Sequence, residues 1–189
     1  MQRERQLAPS ADEYLEGLRK RLEGEGFTLM DEPRVGVYDL PLVAYNIDDP
    51  HGKPGLRKYF SAEVLRIIVA TAMGPMESSQ VEDFSLTVTK HVLEEWRKDK
   101  WGGGYGIECF PVVVCRSLSE DLKTWIRGYV APKHWQASEL PVLASLNDRE
   151  LYFCEKTPMW GGLMWGGLRK FVRGRLGFEG LDFGQDSSV

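Results

Sequence analysis

The residues in this sequence best suited to chemistry are acids close to a lysine. Glu155 and Lys156 are neighbours, and Asp148 and Asp39 lie on or beside segments that look extended. Carboxylates of a central sheet that hold Mg2+, with a lysine nearby to assist, would equip a metal-dependent hydrolase or nuclease. That arrangement wants an acid, one spacer and a lysine on a strand, because adjacent strand residues point to opposite faces. Glu155 and Lys156 fit it poorly and read more simply as an exposed ion pair at a strand end. Asp121, Leu122 and Lys123 have the spacing but open a helix. The Mg2+-dependent reading is therefore kept as the alternative function.

Other reactive types are sparse. His51 follows two aspartates in DDPH, a cluster of ligand types without a metal-site spacing, and a solvated turn explains it. His91 falls on the core side of a helix and His134, in PKHW, reads as structural or interfacial. Cys109 and Cys115 share a strand parity but stand roughly 20 Å apart along an unbroken strand, too far to chelate one ion. The glycine run GGGYG at 102–106 follows a helix and precedes a strand. A phosphate-cradling loop has the reverse order, strand then helix. Phosphate-loop, dinucleotide, zinc-protease and nucleophile-elbow motifs are all missing, so no cofactor and no metal are expected.

The most unusual stretch is 156–177, KTPMWGGLMWGGLRKFVRGRLG, with MWGGL written twice and no acid. On a helical projection Trp160, Met164, Trp165, Leu168, Phe171, Val172 and Leu176 gather on one side. Gly162, Gly166, Arg169 and Arg173 form the opposite stripe, with Lys170 beside them. Glycines in a helix interior each cost about 1 kcal/mol relative to alanine. Either another backbone should approach the glycine surface, or the first half should be non-helical, with glycine-only φ values. The plainest expectation is that the aromatic side packs on the protein's own sheet. Sharper ones are an interfacial membrane segment, a nucleic-acid contact or a homodimer seam along the glycines. The binding residues singled out are Arg169, Lys170, Arg173, Trp160 and Trp165.

The elements that must position these residues follow from pattern. Ser10 and Glu13 are spaced as a capping box for a first helix carrying Tyr14, Leu15, Leu18 and Leu22. Residues 27–30 and 35–47 look extended, the second interrupted by Pro41, which suggests an edge strand or bulge. The β-branched run at 63–74 favours a strand. Ser79 with Glu82 and Ser117 with Glu120 suggest capping boxes for two further helices, the first presenting Phe84, Val88, Val92 and Trp96. Residues 107–116 form the best buried-strand candidate. Segments 140–146 and 149–156 read as a hairpin turning on Asn147 and Asp148, and Thr157 and Pro158 would start the last helix.

Composition sets the frame. At 189 residues, with 42% hydrophobic and 28% charged content, the chain can bury a core as one domain, and neither disorder nor a fibrous class is indicated. The domain should span 10–176, between a loose leader at 1–9 and a flexible polar tail at 177–189. The expected fold class is α+β, a mixed sheet of about five or six strands flanked by about four helices. The longest apolar runs fall short of the roughly 20 residues of a membrane span, no signal-like segment opens the chain, and a cytoplasmic location with three reduced cysteines is expected. A net charge of −4 argues against a surface that grips a polyanion all over, yet Lys156, Arg169, Lys170, Arg173 and Arg175 crowd into one acid-free segment. These features point to a non-catalytic binding or assembly module using a basic aromatic C-terminal helix. Its partner would be anionic or a second copy, with nucleic acid possible but not favoured.

Overall fold

The computed structural model describes residues 8–31, 34–48, 64–96, 106–132, 134, 137–157, 162–181 and 183. Expectations for His51, Trp160, Pro158, the glycines at 102–105 and the first seven residues lie outside them. Within them the fold is α+β: four helices, a seven-stranded mixed sheet and a separate two-stranded ribbon.

The chain opens with α1 (Ala11–Gly24), and the capping box is formed in full, with Glu13 N–H on the Ser10 hydroxyl and the Glu13 carboxylate on the Ser10 N–H. Then come β1 (Thr28–Met30), the ribbon β2 (Arg34–Val35) and β3 (Tyr38–Asp39), β4 (Leu42–Asp48) and β5 (Val64–Ala72). They are followed by α2 (Ser78–Trp96), β6 (Gly106–Cys115), α3 (Glu120–Gly128), β7 (Ala137–Glu139), β8 (Val142–Ser145), β9 (Glu150–Phe153) and α4 (Gly162–Leu176). The sheet order is β1-β4-β5-β6-β8-β9, with β7 also on β6. The first three strands are antiparallel, β5, β6 and β8 run parallel, and β9 returns antiparallel.

Strand alternation divides the core into two layers. Ile68, Ala70, Phe110, Val112, Val114, Val142 and Ala144 face α1 and α4, while Ile67, Val69, Cys109, Val113 and Leu143 face α2 and α3. Central strands covered on both faces have no polar side to show, which is why they read as continuous apolar runs. Because α2 and α3 cover the same face, the parallel strands have no switch point of the kind that opens a ligand crevice in doubly wound folds.

Several boundaries differ from pattern reading, each for a local reason. Helix α2 starts at Ser78, before the proposed Ser79 cap, and the Gln80 side chain accepts the Glu77 N–H at 2.9 Å. Ser119, not Ser117, caps α3, accepting the Leu122 N–H at 3.2 Å. Pro41 marks no edge: it sits in a bend that ends the ribbon, and β4 lies inside the sheet. The hairpin loop is four residues, 146–149, and it is Arg149 that takes the positive φ of 54°. Strands β7 and β8 pair with β6 in one unbroken register, and the gap between them falls at Leu140 and Pro141. Leu140 N–H still reaches the Cys109 carbonyl at 3.0 Å, but in a parallel ladder its own carbonyl would next accept the N–H of Pro111, which has none.

Beyond α4 the composition suggested a loose polar tail, yet Leu181 is only 8% exposed and Phe178 lies 4.9 Å from Tyr14, centroid to centroid. Apolar residues at 178, 181 and 183, scattered among polar ones, were enough to carry the chain back over α1. No helix among the described residues is long and apolar enough to cross a membrane.

Candidate functional site

Helix α4 lies on the sheet by its apolar face. Trp165 is 2% exposed, and Leu168, Val172 and Leu176 are buried with it at helical spacing. Phe171 stacks on Phe110 of β6 at 4.7 Å. The far end is tied to α1: the buried Tyr14 hydroxyl donates to the Leu176 carbonyl at 2.6 Å, and Arg21 donates to the carbonyls of Arg175, Gly177 and Glu179. The bonds to Arg175 and Leu176 satisfy two of the last-turn carbonyls that any helix leaves open, and those to Gly177 and Glu179 hold the chain just beyond it. Tyr14→Phe removes a buried donor and leaves that carbonyl unpaired; the expected loss is about 1–2 kcal/mol in urea unfolding, with the far-UV spectrum unchanged.

The cations of α4 divide into two groups. Arg169 is used internally: it donates to the carbonyls of Cys154 and Lys156 and to the Thr157 hydroxyl, clamping the chain that leaves β9. Arg175 pairs with Glu25 of the α1 cap. Arg173 is exposed, its guanidinium 5.3 Å from the centre of the Phe153 ring, and Lys170 is exposed beside it. Of the five residues singled out from sequence, Lys170 and Arg173 thus share an open surface, Trp165 and Arg169 hold the helix from beneath and behind, and Trp160 lies outside the described residues.

Gly161 lies outside the described residues, and at Gly166, Gly167 and Gly174 neither feature expected of the helix glycines is found among the described residues. Residues 162–176 are helical, and Gly166, Gly167 and Gly174 are absent from the glycines with positive φ. A methyl group added at any of the three would meet nothing within 4 Å. Among the described residues neither an approaching backbone nor a glycine-only conformation offsets their cost. Beside them, between β9 and the end of α4, runs a groove of about 440 Å3, bordered by Leu151, Phe153, Arg149, Arg173, Glu155 and Glu179.

The carboxylates behave as structural partners. Asp39 pairs with Arg34 across the ribbon at 3.8 Å, and Glu155 with Arg127 at 3.6 Å. Asp148 and Lys123 meet at 3.0 Å, and Asp148 also accepts from Ser145 at 2.9 Å and from Tyr152 at 3.2 Å. Bonds to Glu120 and Asp148 raise the Lys123 pKa, so its amine stays charged. Burial alone would raise Asp148, but the bonds from Lys123, Ser145 and Tyr152 outweigh it and lower the carboxyl below its ordinary 3.8. A depressed folded-state value means stability that is present above the unfolded pKa and lost as pH falls through the folded one. Wild type should therefore be more stable than Asp148→Asn near neutrality, with the two unfolding midpoints converging below about pH 4. Among the described residues no group of three His, Cys, Asp or Glu side chains could hold a metal ion.

One polar cluster was missed by sequence reading. Glu139 of β7, with no side-chain exposure, accepts the Ser85 hydroxyl of α2 and sits 2.6 Å from His134 Nε2, whose side chain is 20% exposed. The only sequence signal was a lone acid in the apolar run ASELPVLASL. The acid stands between the serine and the histidine, so the order is not nucleophile, base, acid as in a hydrolytic triad. Cys109 adjoins the cluster, and burial pushes its thiol up to about 12, which keeps it protonated and inert. Cys115 and Cys154 are also free and buried.

Fold and site together describe a helix-covered mixed sheet with a glycine-lined, cationic outer helix face. The chain matches no family model, no curated protein and no solved structure.

Proposed function

We propose that this chain is a non-catalytic binding or assembly module whose contact surface is the outer face of α4, with Lys170 and Arg173 facing an anionic partner. The observation that carries this reading is the open space over Gly166, Gly167 and Gly174. Three helical glycines cost about 1 kcal/mol each, and among the described residues nothing within 4 Å of them offsets that cost. A strip without Cβ atoms lets a second backbone come close, and exposed cations beside it favour acidic groups.

The character of the partner follows from what borders the strip. A symmetric pairing through α4 would oppose Lys170 and Arg173 to their own copies, a like-charge juxtaposition that disfavours a homodimer. Nucleic acid is less favoured too, because among the described residues of α4 both aromatics, Trp165 and Phe171, turn inward and offer bases no platform. An interfacial membrane role would need the apolar stripe that α4 spends on the sheet. The Mg2+-dependent alternative would need converging carboxylates, whereas Asp39, Asp148 and Glu155 each face a cation.

The test is charge reversal at the two exposed cations of that face. Wild type should be retained on an immobilised acidic polypeptide at low salt and released as salt rises. Lys170→Glu with Arg173→Glu should pass through unretained with an unchanged far-UV spectrum. Equal retention of both proteins, or no retention of wild type, overturns the proposal.

A further inference from the structure

We draw no further inference here: the strongest candidate, the groove of about 440 Å3 between β9 and the C-terminal end of α4, carries nothing because acids and arginines line it together and nothing in the structure shows what covers it.

Discussion

His134→Ala should lower the unfolding free energy by about 1–3 kcal/mol, the cost of leaving a buried polar group short of a hydrogen-bond partner. The reason lies in Glu139, whose carboxyl group has no exposure and two partners, Ser85 and the imidazole. Among the described residues, removing the imidazole leaves the buried carboxyl group only the Ser85 hydroxyl, and an under-bonded buried polar group carries its desolvation cost. The lower end of the range is expected because His134 reaches the surface and its loss admits water. Glu139→Gln keeps a carbonyl acceptor for the Ser85 hydroxyl, so it should cost less than His134→Ala. The order is checked by urea unfolding of both variants. A His134→Ala loss below about 1 kcal/mol would mean that the pair is not what stabilises the buried acid.

The second large effect has the opposite sign. Gly166→Ala, Gly167→Ala and Gly174→Ala each exchange a weak helix former for the best one, worth about 1 kcal/mol at an interior position. Among the described residues the added methyls meet nothing within 4 Å, so no steric cost from them opposes the gain. Gly174 lies two residues from the end of α4, where fraying reduces the benefit, and the three together should stabilise by about 2–3 kcal/mol. Gly26 and Gly36 are different, because their φ values of 82° and 60° belong to the region that strains other residues, and alanine there should destabilise.

The fold was legible where one physical pattern dominated. The Ser10–Glu13 box, the apolar runs of β5 and β6 and the amphipathic face of α4 are local or periodic signals, and each formed where the residues indicated. Capping serines were less decisive, since Ser117 and Ser119 compete for one helix start and tertiary placement chose the second. The four-residue hairpin loop was hidden because Asn147 and Asp148 can adopt a positive φ but are not required to, and strand register passed it to Arg149.

The candidate site was half visible. That α4 would turn its apolar side inward followed from spacing, and Trp165 obeys it. That Arg169 would be consumed by carbonyls of the strand exit did not follow, because those acceptors belong to backbone 13 and 15 residues away. The Ser85–Glu139–His134 cluster was invisible for the same reason: Ser85 and Glu139 are 54 residues apart, and only the parallel placement of β7 beneath α2 joins them.

The proposed role requires that α4 show an outer face that the other described residues leave uncovered and a partner uses. The most direct measurement is one pair of readings on the Gly166→Ala, Gly167→Ala, Gly174→Ala protein: its urea midpoint and its retention on the acidic polypeptide. The account predicts a higher midpoint together with weaker retention, since methyls that settle the helix also hold a partner's backbone away. A lower midpoint, showing the face already occupied, or a higher one with retention unchanged, would contradict it.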